Sequence, residues 1–136
     1  KEEIFLKDEL GSQNKKQLLS QAQMQLYAKK LDDLMISQKL YLDPNLNLYQ
    51  LSSFVGLRTQ ELSFLLNNHF QINFYTYINN YRIEESKTNL SDPEKKNLSM
   101  VGIALESGFK SKSTFYSRFK EATGLSPTEY LKKGKE

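Results

Sequence analysis

Apolar side chains along this chain recur three and four positions apart in short runs, each bounded by residues that start or stop a helix. In the first run Met24, Tyr27, Leu31, Leu34 and Met35 share one side. Ser20-Gln21-Ala22-Gln23 ahead of them reads as a capping box, stapled by Leu19 and Met24, so the spacing predicts a helix over residues 20–38. Asp43-Pro44-Asn45 marks a turn, after which Leu46-Asn47-Leu48-Tyr49-Gln50-Leu51 repeats the staple and box with Asn47 as cap. Past a turn at Gly56, Leu62, Leu65 and Leu66 mark the inner side of a helix beginning near Arg58. A long helix is predicted from Asn73 to about Leu90, with Phe74, Tyr77, Ile78, Tyr81 and Leu90 inward and Ser91-Asp92-Pro93 closing it.

The last third is the most legible. Ala104 stands four positions before Gly108, the arrangement of two helices in close approach across a turn that needs φ > 0. Phe115, Phe119 and Ala122 then follow at helical spacing and face inward. Gly124 ends that helix, Ser126 caps the next, Pro127 fits its first turn, Glu129 closes a capping box and Leu125 staples to Tyr130.

These two stretches are copies of one unit. Leu46-Asn47 matches Leu98-Ser99, Leu51-Ser52 matches Ile103-Ala104, and Gly56-Leu57 matches Gly108-Phe109. After a one-residue insertion, Leu62 and Leu66 match Phe115 and Phe119, and Ile72-Asn73 and Tyr77 match Leu125-Ser126 and Tyr130. An internal repeat matched at so many positions predicts a duplicated structural unit. The expected fold is therefore all-α, about seven helices without a sheet. Two helix-turn-helix units, residues 20–72 and 91–136, are joined by a linker helix over 73–90. Residues 1–19, charged and interrupted by Gly11-Ser12-Gln13-Asn14, read as a linker.

Charge sharpens this picture. The chain of 136 residues carries a formal net charge of +3 and a pI near 9.0. Residues 1–38 balance six basic against six acidic side chains, whereas residues 108–136 hold seven basic against three acidic. The positive end is the second unit, which suits a polyanionic partner. There is no cysteine, hence neither disulfide nor thiolate metal site. No apolar run approaches the roughly 18 to 20 residues of a membrane helix. His69 lacks catalytic partners, and Asp43, Glu84 and Glu85 are scattered carboxylates. No glycine-rich phosphate loop or metal-ligand cluster is present, so the expectation is a non-enzyme without cofactor or metal. The chain opens on Lys1 with no signal-peptide pattern, so it is expected to be a piece of a longer protein.

With the inner sides assigned, the outer stripes follow. In the first unit Gln60, Ser63, Phe64 and Asn67 share an exposed stripe; in the second, Lys112, Ser113, Tyr116 and Ser117 do. Glutamine and asparagine can hydrogen-bond adenine bidentately, and a phenyl ring can meet a thymine methyl group. Thr114, Arg118 and Lys120 flank the second stripe and suit phosphate contacts, as do Arg58 and the capping side chains Asn47 and Ser99. Arg58 and Glu61 are the only charged residues between Asn47 and Ile72. Arg82 is expected to pair with a buried acidic side chain of either unit.

The run GF-x-S-x-S-x-F-x-x-x-FK-x-x-x-G-x-SP-x-x-Y, residues 108–130, resembles the C-terminal half of the AraC/XylS DNA-binding domain. The similarity extends over about residues 27–133, and it includes Tyr41-Leu42-Asp43-Pro44 and Phe74-x-x-Tyr77-Ile78-Asn79-x-Tyr81-Arg82. The resemblance implies double-stranded DNA as partner, with base-facing side chains at the eight stripe positions named above. It implies RNA polymerase or an upstream sensor domain as a further partner, and a cytoplasmic location. In such proteins the domain often lies at the cytosolic C-terminus behind a membrane-embedded or ligand-sensing region; the fragment itself is expected to make no membrane contact. With one apolar stripe on the first helix and no sustained heptad, the fragment is expected to be mostly monomeric. The competing expectation is a helical protein-interaction module anchored by Phe64 and Tyr116.

Overall fold

A computed structural model describes residues 17–134. The predicted linker over residues 1–19 lies almost wholly outside the described residues. Among the described residues there are seven α-helices and no strand. They are α1 (Gln21–Gln38), α2 (Leu48–Val55), α3 (Thr59–Leu65), α4 (Phe74–Ser91), α5 (Met100–Glu106), α6 (Lys112–Thr123) and α7 (Pro127–Gly134). Short 3₁₀ turns at Leu40–Leu42 and Pro93–Lys95 complete the connections.

Local chemistry sets the helix starts. Ser20 Oγ accepts from Gln23 N at 3.1 Å while Ser20 N donates to Gln23 Oε1 at 2.8 Å. Asn47 and Gln50 close the same reciprocal box on α2, and Ser126 and Glu129 close it on α7. Each box satisfies two N–H groups that the first helical turn leaves free. Asn73, Ser99 and Ser111 cap α4, α5 and α6 through a single side-chain acceptor each. At the α3 start Arg58 has no acceptor to offer, and only half a box forms, from Arg58 N to Glu61 Oε1 at 2.8 Å.

The helices enclose two cores. The first gathers Met24, Leu31 and Met35 of α1, Leu51 and Val55 of α2, Leu62, Leu65 and Leu66, and Phe74, Tyr77 and Ile78 of α4. The second gathers Ile83 of α4, Ile103 and Ala104 of α5, Phe109, and Phe115 and Phe119 of α6. Thus α4 buries its first half in one unit and its second half in the other. Ile83 stands nine residues after Phe74, about two and a half turns, and so on the opposite side of the helix. A single inward stripe on α4 was expected; the stripe instead changes sides, and Leu90 packs against the second core.

Ala122, expected inward, is exposed, because Phe115 and Phe119 with Tyr130 of α7 already fill the inner side of α6. The helix begun at α3 also ends differently. Leu66–Phe70 forms a π-helical turn, with Gln71 in the left-handed region at φ 61°. There the side-chain amide of Asn68 donates to Phe64 O at 2.9 Å, competing for the carbonyl that its own backbone N–H would take in an α-turn.

The two units meet on α4. Tyr77 and Tyr81 both donate to Asp32 Oδ1, at 2.6 and 2.8 Å, tying α4 to α1. Tyr41 stacks on Tyr81 and donates to Glu85 at 3.0 Å. On the other side Asn89 Nδ2 donates to Ser107 Oγ at 3.0 Å, and Lys95 Nζ donates to both Asn89 and Glu106.

Candidate nucleic-acid interface

Both units present the second helix of their helix-turn-helix outward, α3 in the first and α6 in the second. The four stripe residues, Gln60, Ser63 and Phe64 on α3 and Asn67 in the π-helical turn that follows it, line one groove of about 870 Å³. Its other wall is Gln17, Leu18, Gln21 and Met24, at and before the start of α1. The stripe is therefore one wall of a groove rather than a free ridge. Spacing along α3 reveals nothing of the facing wall, which comes from some forty residues upstream. Phe64 is half-buried and packs against the first core, while Gln60 and Asn67 are exposed. Arg58, also exposed, reaches Glu61 Oε2 at 3.5 Å.

On α6, Lys112, Ser113 and Ser117 are exposed as expected. Tyr116 is half-buried against the second core, its ring edge-on to Phe115, and its hydroxyl shares a 2.9 Å hydrogen bond with Thr128 of α7. Lys112 Nζ lies 5.3 Å from the centre of that ring, within cation–π range. Tyr116 was read as an outward ring among serines; half of it belongs to the fold. The same packing of Phe64 and Tyr116 against their own cores withdraws both as free apolar anchors for a protein partner.

The flanking residues separate into groups. Asn47 and Thr114, from different units, line one cleft between the units. Arg118 lines the adjoining cleft against α4 and pairs with Glu121 at 2.9 Å. Lys120 is exposed near α7, where hydrogen bonding with Ser126, above all from its backbone N–H, holds the Glu129 carboxyl below its usual value and the Lys120 charge adds the smallest part. Ser99 and Arg58 stand apart from these clefts, Ser99 with its hydroxyl engaged by Gly102 N at 3.1 Å. Arg82 differs from expectation. Its guanidinium donates to Tyr41 O at 2.7 Å, Asp43 O at 2.9 Å and Asn79 Oδ1 at 3.3 Å, all neutral oxygens. Backbone carbonyls of the connection between α1 and α2 take the place of the expected carboxylate. Lys110 and Asn79, which line the same inter-unit cleft, carry no site role in the sequence reading, Asn79 entering it only within the Phe74–Arg82 motif. The one available signal was a lysine directly after the Gly108-Phe109 turn.

Two helix-turn-helix units, each with a polar stripe on its second helix, define a duplex-DNA-binding domain of the kind transcription regulators carry. The model of a "Helix-turn-helix domain" family matches residues 51–133. The chain belongs to this AraC-type helix-turn-helix family. It is 33% identical over 90 residues to the melibiose operon regulatory protein of Escherichia coli, covering 66% of this chain and 29% of that protein. It is 30% identical over 92 residues to an uncharacterized HTH-type transcriptional regulator of Staphylococcus aureus, covering 68% of this chain and 12% of that protein. The chain thus spans less than a third of the length of these relatives. Among solved structures it resembles the C-terminal domain of the two-component response regulator yesN from Fusobacterium nucleatum, with TM-score 0.65, 25% identity, and 76% and 96% of the two chains covered. A transcriptional regulator of the AraC type from Chromobacterium violaceum shares the fold, with TM-score 0.65 at 21% identity over 79% of this chain and 91% of that one. No described helix is long and apolar enough to cross a membrane.

Proposed function

We propose that the chain reads a bipartite duplex site, with α3 and α6 in successive major grooves on one face of the DNA. The observation that carries this is the repetition of one unit, with a polar stripe at equivalent places on α3 and α6, around the single shared helix α4. In this reading Gln60, Ser63, Phe64 and Asn67 face one half-site and Lys112, Ser113, Tyr116 and Ser117 the other. Asn47, Arg58, Ser99, Thr114, Arg118 and Lys120 meet phosphates. The two separate cores support a division into a first unit over residues 20–72, the joining helix over 73–90 and a second unit over 91–136, behind a linker. We further propose that the domain is the cytoplasmic output of a longer regulator, with RNA polymerase or an upstream sensor region, membrane-embedded or ligand-binding, as its further partner.

Selecting bound sequences from a random duplex pool tests the reading. The expected outcome is two conserved blocks whose centres lie about 10 base pairs, or about 34 Å, apart. Affinity should fall steeply with salt through counterion release. Recovery of one short block with no second, or binding indifferent to salt, argues against it.

A further inference from the structure

Between the two units lies a trough whose lining is cationic or neutral. Asn47 comes from the first unit, Asn79 and Arg82 from α4, and Lys110 and Thr114 from the second; the cleft they line holds about 330 Å³. No lining residue is acidic. The neighbouring Asp43 carboxylate accepts from Asn45 N at 2.9 Å and makes no ion pair with Arg82, although its charge favours the guanidinium from nearby. Asn79 is shared with the adjoining cleft that Arg118 lines, so the trough continues along the flank of α6.

Arg82 is what makes the place an anion seat. It is half-buried, and its three hydrogen bonds go to neutral oxygens. A guanidinium has five N–H donors, so two remain. Among the described residues no carboxylate lies within ion-pair distance of it. A partly desolvated charge whose direct hydrogen-bond partners are all neutral dipoles, offset only in part by the nearby Asp43 carboxylate, keeps much of its field, and a phosphate brought into the trough would compensate it further. Lys110, exposed on the opposite rim, adds a second positive charge.

We infer that this trough seats the sugar-phosphate backbone of the DNA between the two half-sites, with Lys110 and Arg82 as its cations. The inference rests on the two-groove reading above: a duplex entered in successive major grooves turns the phosphates flanking its intervening minor groove toward the middle of the protein. Positioning, rather than base identity, is what such a contact supplies. It fixes the phase of the duplex between the two reading helices.

The experiment uses the full chain and two duplexes of the selected sequence, one native and one with neutral methylphosphonates replacing the phosphates between the blocks. The native protein should bind the neutral duplex about tenfold more weakly. Lys110→Gln should bind the native duplex several-fold more weakly, lose about one from the salt slope, and show little further loss on the neutral duplex. Asn79→Asp, which places a carboxylate beside Arg82 and so preserves the fold, should weaken binding to the native duplex about tenfold at an unchanged melting temperature. If both variants lose the same factor on the two duplexes, or none on either, the trough is not the seat. If even the native protein binds the two duplexes alike, the seat is refuted while the two-groove reading stands; that reading fails separately, if selection returns one block instead of two.

Discussion

A hydrogen at Gly108 occupies a place where a methyl carbon would lie 2.4 Å from the carbonyl oxygen of Tyr41 and 3.1 Å from Arg82 Nε. Its φ of +96° adds the left-handed penalty of an L-residue, about 1–2 kcal/mol. Gly124, at φ +84°, carries the same backbone penalty but would meet nothing within 4 Å. Gly108→Ala should therefore cost on the order of 3 kcal/mol or more, and Gly124→Ala about 1 kcal/mol, in urea unfolding midpoints. Equal costs would mean that the approach to Tyr41 carries no weight. The turn at Gly108 was legible in the sequence; the backbone pressed against it was not, because Tyr41 lies in another unit. Tyr116 teaches the same lesson, since the helical spacing that sets its direction is silent about Thr128 on the following helix. Local periodicity fixes which way a side chain leaves its helix, and only the packed chain supplies what it meets.

Among the elements, α4 departs furthest from its sequence reading, for a physical reason. Its apolar side changes partway along because it serves two cores, so one amphipathic stripe describes only its first half. The polar links were equally hidden, since Asp32 sits over forty residues from the tyrosines it binds. Those tyrosines give the helix an alkaline response. Burial, reinforced by the hydrogen bond to Asp32, pushes the Tyr81 phenol up to about 12. Burial and Asp32 push Tyr77 above its usual value as well, and burial and Glu85 do the same to Tyr41. A phenol that titrates near 10 in the unfolded chain and later in the folded one favours unfolding at high pH. Stability should be fully present below about pH 10 and fall as pH rises toward 12. Melting temperatures measured from pH 8 to 11.5 should show the fall, and Tyr81→Phe should flatten it after allowance for its own cost at neutral pH. A fall of the same slope in that variant would remove Tyr81 as a cause. The capped starts of α1, α2 and α7, by contrast, were read correctly to the residue, since a capping box is complete within four consecutive positions.

For the whole molecule, the uneven charge of the units predicts a division of labour. Lys112, Arg118 and Lys120 lie on or beside α6, whereas Arg58 is the only Lys or Arg on α3 or at its start and is occupied with Glu61. Lys120→Ala should weaken binding to preferred and scrambled duplexes alike and lower the salt slope by roughly 1. Gln60→Ala should cost about 1–3 kcal/mol on the preferred duplex and leave the scrambled one nearly untouched. Titrations of both duplexes at several salt concentrations decide the matter; equal losses for Gln60→Ala would contradict it. Arg118 is the less telling probe, since its substitution also frees Glu121. Self-association should be weak. The apolar side of α1 is spent on the first core, and Leu26 and Ile36, 65% and 68% exposed, are too few for a lasting seam. Sedimentation at low micromolar concentration should show a monomer, and a stable dimer there would reassign those two side chains. The two cores also have an evolutionary consequence. Because each reading helix is packed inside its own core, substitutions on α3 and α6 that touch neither α4 nor the Tyr41 contact should add in free energy. A lineage can then retune one word of its operator at a time, and the vocabulary open to the domain is the product of two short lists.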